Sequence, residues 1–156
     1  MRISTAAGRY GVRAMYDLAL HYGGEPVAGK NIAERQNISL PYLEQLMTSL
    51  RKSGLIRSVR GPHGGYALAR NPSGIKVGEI IRSLEGPIEI TYCVSQSNRS
   101  GKCANAESCV SQILLRKLDA NIRSALDSIT LKDLCTEAGS DVCPTARSKR
   151  PSAREK

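Results

Sequence analysis

Tyr10, Ala14, Met15, Leu18, Ala19 and Tyr22 recur at intervals of three and four, the spacing of one helix face. Thr5 stands where an N-cap is needed, and Gly23-Gly24 ends the pattern. A shorter helix is predicted around Asn31 to Gln36, with Ile32 and Ala33 inward and Asn37 at the turn. Ser39 then reads as an N-cap and Pro41 fits the first turn of a second amphipathic helix, Leu40 to Lys52. Its apolar face holds Leu43, Leu46, Met47 and Leu50, and Gly54 stops it in the manner of a C′ glycine.

The period then changes. Leu55, Ile56 and Val59, followed by Tyr66 and Leu68, mark two short strands around the turn-rich Arg60-Gly61-Pro62-His63-Gly64-Gly65. Another helix fits Val77 to Leu84. No period is visible from Gly86 to Ser108, and a long irregular stretch inside a compact domain is usually functional or disordered. A strong helix follows over 107–128, where Leu115, Leu118, Ile122, Ala125 and Ile129 form a coiled-coil-like seam. Such a seam predicts a homodimer; its alternative is packing onto its own domain. Thr130 and Asp133 suggest a capping box for a last short helix. The expected fold is mainly α with a small β-hairpin wing: a winged helix-turn-helix domain plus a long dimerisation helix. The expected divisions are a DNA-binding domain over 1–85, a cysteine-bearing loop over 86–109, the dimerisation helix and short following helix over 110–135, and a disordered basic tail over 136–156.

Net charge narrows the partners. The chain carries +9, and a basic surface attracts polyanions by releasing counterions from phosphate. It has no Trp and no Phe, so the aromatic platforms that bind single strands are scarce, and duplex DNA is favoured. No apolar run approaches the roughly 18–20 residues that span a bilayer, and the N-terminus shows no convincing cleavage signal. A cytoplasmic protein with no membrane partner is expected. No nucleotide loop or catalytic triad pattern is visible, and His21 and His63 are the two histidines, so no enzyme is expected.

Helix, turn, helix and glycine-tipped hairpin is the order of a winged helix, whose second helix enters the major groove. Ser39, Tyr42, Glu44 and Gln45 lie at its N-terminal, exposed positions. Gln can pair with adenine in a bidentate manner, and an acid can accept from the cytosine amino group. Glu44 near phosphate is costly, which suits rejection of wrong sequences. Arg51, Lys52, Arg57 and Arg60 add positive charge; Arg60, at the hairpin base, suits a minor groove or a phosphate. Gly64 allows the hairpin backbone to approach DNA closely. Each residue alone is equally compatible with a solvated polar face; the ordered set carries the specificity.

The five Cys all lie between Cys93 and Cys143. Cys93, Cys103 and Cys109 fall in the irregular loop with nine and five residues between them. Iron–sulfur ligation, zinc ligation, a thiol switch and incidental thiols all remain open on spacing alone. Cys135 and Cys143 stand outside this group and are expected to be nonessential.

The run from Ile32 to Leu46, the segment Leu50-Arg51-Lys52-Ser53-Gly54-Leu55 and the hairpin Ser58 to Tyr66 resemble the Rrf2 family of bacterial regulators, and most closely its iron–sulfur cluster sensors. The opening MRISTAAGRYGVRAM and Val77-Gly78-Glu79-Ile80-Ile81 fit the same family, and the resemblance covers about residues 1 to 135. It implies a homodimeric winged-helix repressor that binds a double-stranded DNA operator. It implies that Cys93, Cys103 and Cys109 hold an iron–sulfur cluster, [2Fe–2S] in preference to [4Fe–4S]. His63 stands where the family more usually has glycine. Cluster sensors of this kind carry a ligating His three residues after the last loop Cys, where this chain has Gln112. The fourth ligand is therefore sought among Glu107, Ser108, Ser111, another acid, water or a small thiol. Two other functions are weighed: a cluster-free regulator of thiol or cysteine metabolism with the same fold, and an iron–sulfur electron carrier.

Overall fold

A computed structural model describes residues 5–94 and 108–139. Six α-helices and a two-stranded hairpin are seen among them: α1 (Ala6–Leu20), α2 (Gly29–Gln36), α3 (Leu40–Lys52), β1 (Ile56–Val59), β2 (Gly65–Leu68), α4 (Val77–Glu85), α5 (Val110–Ser128) and α6 (Leu131–Glu137). Short 3₁₀ turns cover Pro72–Gly74 and Tyr92–Val94.

α1 is the hub. Thr5 caps it as expected, accepting from the Ala7 amide at 3.2 Å. The Glu85 carboxylate at the end of α4 adds a second cap: one oxygen accepts from the Thr5 amide, the Thr5 hydroxyl and the Gly8 amide at 2.7–2.8 Å. Free N–H groups and a positive dipole end favour an anion there. Ala14, Met15, Leu18 and Ala19 are buried against Ile32, Leu43, Met47, Leu50 and Ile80 in one core.

Asp17 is the single buried charged residue among the described residues, 1 % exposed on the inner face of α1. Arg35 of α2 grips it bidentately at 2.7 and 3.0 Å, and the Gln36 side-chain amide donates to it at 3.0 Å. His21 approaches the backbone carbonyl of the same residue through Nδ1 at 2.8 Å. Arg13 of α1 reaches across to Gln36, bonding its side-chain and backbone oxygens. α1 and α2 are thus clamped at a fixed angle. The Asp17 hydrogen bond, opposed by partial burial, holds the Arg35 guanidinium charged even more firmly than usual.

Asn37 makes the turn between α2 and α3 in the left-handed region, φ 52°. Ser39 occupies the N-cap position of α3, but its side chain makes no capping hydrogen bond; its carbonyl accepts from Leu43 at 2.9 Å. The helix closes in a Schellman motif, with Leu55 N–H bonded to the Leu50 carbonyl and Gly54 N–H to that of Arg51. Gly54 takes φ +75°, as that motif requires.

β1 and β2 pair antiparallel with Ile56 opposite Leu68 and Val59 opposite Gly65. Val27 pins the hairpin to the body through two 2.8 Å backbone bonds with Tyr66. The wing is therefore anchored at its second strand.

α5 begins at Val110, with Cys109 at its N-cap, a little later than the seam pattern suggested. Ile122, Leu126 and Ile129 pack on Val77, Ile81 and Ile88, so two seam residues serve their own chain. The exposed apolar positions of α5 are instead Val110, Ile113, Leu114 and Leu118. Of the two expectations for this seam, packing onto its own domain holds for Ile122 and Ile129, while Leu118 stays exposed. Gly78 permits the inner contact, since a Cβ there would collide with the Asp127 carboxylate that pairs with Arg82 at 2.7 Å. α6 returns to the first core: Leu131 and Cys135 are fully buried in it, and Thr130 and Asp133 form the expected capping box.

Two predictions test this framework. Asp17→Ala should lower unfolding stability by about 2–3 kcal/mol in denaturant titration, below the full cost of breaking a buried pair because Arg35 is partly solvated. An unchanged midpoint would show that the clamp is dispensable. The Arg82 hydrogen bond, against a small burial effect, holds the Asp127 carboxyl below its ordinary range. Its contribution is present above the ordinary carboxylate range and is lost as pH falls through the lowered value. Asp127→Asn should therefore flatten the acid limb of a stability–pH curve; an acid limb identical to the parent's would remove this pair from the α4–α5 joint.

Candidate nucleic-acid interface and cysteine site

The recognition surface is assembled on α3 and the wing. Leu43, Leu46, Met47 and Leu50 face the core, which turns Ser39, Glu44 and Gln45 to the exposed side near the N-terminal end of α3. Tyr42 is half-buried; its ring meets Tyr10 of α1 edge-on, centroids 5.9 Å apart at 88°. Arg13 lies over the Tyr10 ring at 5.5 Å. An edge-on aromatic pair with a cation over one of its rings favours one ring orientation, so Tyr42 reaches the surface from a fixed position. The sequence reading named Tyr42 but missed this support, because Tyr10 looked like one more residue of the α1 apolar face.

Arg51, at the other end of α3, donates to the Ser58 hydroxyl of β1 at 3.3 Å and so bridges helix and wing. Arg57 and Arg60 are exposed on and beside β1. Gly64 is half-buried, and a Cβ at this position would collide with the Val59 carbonyl oxygen. The tight hairpin itself requires this glycine. His63 is exposed at the wing tip. All seven predicted DNA-contact residues thus belong to one continuous unit, α3 plus wing.

The cysteine site is described in part. Cys93 and Cys109 are half-buried and unbridged; Cys103, Cys143 and Glu107 lie outside the described residues. Cys93 sits in the 3₁₀ turn Tyr92–Val94, with Thr91 Oγ1 at 3.1 Å from its sulfur. Gln112, in the first turn of α5, donates its backbone N–H to the Cys109 carbonyl at 3.0 Å and its side-chain amide to the Cys93 carbonyl at 3.2 Å. One residue therefore ties the backbone of the Cys93 turn to the first turn of α5, a link that the spacing alone left open. Among the described residues no group of three or more metal-ligating side chains is present. Cys135 lies apart, fully buried among the core residues.

A helix pair joined by a tight turn and followed by an anchored glycine-containing hairpin defines a winged-helix DNA reader. The Rrf2 family model, described as an iron-dependent transcriptional regulator, matches residues 4–137, and the chain belongs to this family of transcriptional regulators. It is 45% identical over 130 residues to the HTH-type transcriptional regulator IscR of Yersinia enterocolitica, covering 83% of this chain and 77% of that protein. Among solved structures it is similar to T. potens IscR, with a TM-score of 0.71 at 43% identity over 95% of this chain and 94% of that one. It is also similar to CymR, the global cysteine regulator of B. subtilis, with a TM-score of 0.73 at 37% identity over 88% and 98% of the two chains. The expected fold and family are those observed. No helix among the described residues is long and apolar enough to cross a membrane.

Arg60→Ala should weaken operator binding by about 1–3 kcal/mol, the range of a lost groove or charged-phosphate contact. Gln45→Ala should cost less affinity but relax preference at one base position in each half-site, read by binding-site selection. An unchanged selected motif would remove Gln45 from direct readout.

Proposed function

We propose that this protein is a homodimeric transcriptional repressor, acting in the cytoplasm on a double-stranded DNA operator and controlled by an iron–sulfur cluster. The observation that carries the cluster reading is the double hydrogen bond of Gln112, which ties the turn holding Cys93 to the end of α5 capped by Cys109. Two half-buried, unbridged cysteines, one in the turn and one at the helix cap that Gln112 joins, fit the thiolate chemistry of such a cluster, and Cys103 is proposed as the third ligand. The similarity to IscR proteins supports the same reading, with a [2Fe–2S] cluster as its finer form. When bound, the cluster would supply a redox- and oxygen-sensitive centre. The chain's own residues do the rest. Thr91 and Gln112 hold the Cys93 turn, Cys109 begins α5, and α5 leans on α4 through Arg82 and Asp127. Ser39, Tyr42, Glu44 and Gln45 read base edges in this proposal, while Arg51, Arg60 and the Gly64 backbone track phosphate and groove.

The outward Val110, Ile113, Leu114 and Leu118 are the proposed dimer contact. Two recognition helices related by two-fold symmetry would match a pseudo-palindromic operator. Leu114→Asp with Leu118→Asp should yield a folded monomer in sedimentation, since both side chains are exposed on a single chain. A persistent dimer would place the interface elsewhere.

One alternative has its own support. The likeness to CymR, together with Gln112 at the position of a ligating His, favours a cluster-free regulator of cysteine metabolism. Anaerobic purification with iron and sulfide assay separates the two. The cluster reading expects brown protein and a sharp loss of iron in each of Cys93→Ser, Cys103→Ser and Cys109→Ser, with Cys135→Ser and Cys143→Ser keeping theirs. Colourless parent protein, or full iron in all three loop variants, would overturn it.

A further inference from the structure

Gln112 stands where a cluster ligand is expected, and its hydrogen bonds show what it does in the folded chain. Its side-chain nitrogen is committed to the Cys93 carbonyl at 3.2 Å, in a part-buried setting. Its backbone nitrogen is committed to the Cys109 carbonyl at 3.0 Å. Cys109 is the N-cap of α5, so Gln112 occupies the third helical position, whose N–H lacks an intrahelical partner other than the cap carbonyl. The side chain extends from there to a 3₁₀ turn whose backbone bond, Val94 N–H to the Thr91 carbonyl, is long at 3.4 Å. A neutral amide is a poor ligand for iron but a good donor to a carbonyl. Its use here follows that chemistry.

We propose that Gln112 is a positioning residue: it clamps the Cys93 turn to the first turn of α5 and does not itself take a coordination position. The proposal rests on the cluster reading for its consequence and on hydrogen bonding alone for its geometry. Outer hydrogen bonds that orient metal ligands commonly govern how long a metal centre survives. With Thr91 at the sulfur and Gln112 at the carbonyl, Cys93 is fixed at both ends of the residue, and a cluster bound there would meet a preset thiol.

Gln112→Glu decides between clamp and ligand. The substitution keeps length and shape, removes the N–H donor and adds an anionic oxygen, a better iron ligand than the amide. A carboxylate also suits the third position of a helix, so α5 should still form. The clamp predicts that the loaded variant bleaches in air several-fold faster than the parent. A ligand role predicts slower bleaching, and that result would overturn the clamp. The second arm uses metal-free, reduced protein. Hydrogen–deuterium exchange at the Val94 amide should accelerate several-fold in Gln112→Glu and Gln112→Ala, with exchange in α1 and α3 unchanged. Unaltered exchange at Val94 would overturn the clamp. A parent protein that holds no iron would sink the cluster reading of the preceding subsection and leave the exchange arm to decide the clamp by itself.

Discussion

Asp17 is a carboxylate placed where an apolar residue would ordinarily sit, and the geometry of the DNA-reading unit depends on it. Removing its charge from water is costly, and the structure offsets that cost with a bidentate guanidinium and an amide, all from α2. A leucine at this position could pack but could not choose an orientation for α2. The directional bonds can, and Arg13 repeats the constraint from the next turn of α1 by holding Gln36. Because α3 follows α2 through only three residues, Asn37 to Ser39, fixing α2 on α1 also fixes where α3 presents its outer face. Tyr10 completes the arrangement by seating Tyr42.

The same residues explain why some of the fold was legible in the sequence and some was not. Local chemistry was readable. Thr5, Thr130 with Asp133, and Gly54 signal helix ends through bonds that form within a few residues of chain, and all three act as their types predict. The wing was readable because its glycine-rich turn and the short apolar runs on either side of it are local too. Asp17 was not readable: one acid on an amphipathic helix resembles a solvated position until its partner arrives from another helix 18 residues away. Ser39 shows the converse, a residue of the right type at the right place whose hydroxyl makes no cap bond.

The α5 pattern misled for a different reason. A three-and-four spacing tells which residues share a face, but not how many surfaces that face meets. Ile122 and Ile129 are spent on α4, while Leu118 remains outward, so one stripe serves two neighbours. At the cysteine site the residues were legible and their arrangement was not. Spacing gave no reason to tie the Cys93 turn to the start of α5; the side chain of Gln112 does so, and an amide carries no sequence signal for that task.

α5 is held at both ends by these contacts. Its first turn is tied to the Cys93 turn through Gln112, its last turns rest on α4 through Ile122, Leu126 and the Arg82–Asp127 pair, and its end is stitched to the core where Val77 N–H meets the Ile129 carbonyl. α4 in turn ends in Glu85, which caps α1, and α1 carries the clamp that sets α2 and α3. Packed elements joined this way move as bodies and do not stretch. A change in the loop that ends at Cys109 would therefore reach the first turn of α5 and be carried by the helix as a body, and the exposed apolar side of α5 is where that movement would emerge. Val110, Ile113 and Leu114 are exposed there, in the turns that follow Cys109. In a dimer joined through that face, the loop would act first on the angle between subunits, and the spacing of the two α3 helices would follow from it. The internal structure of each DNA-reading unit, secured by Asp17, would stay the same.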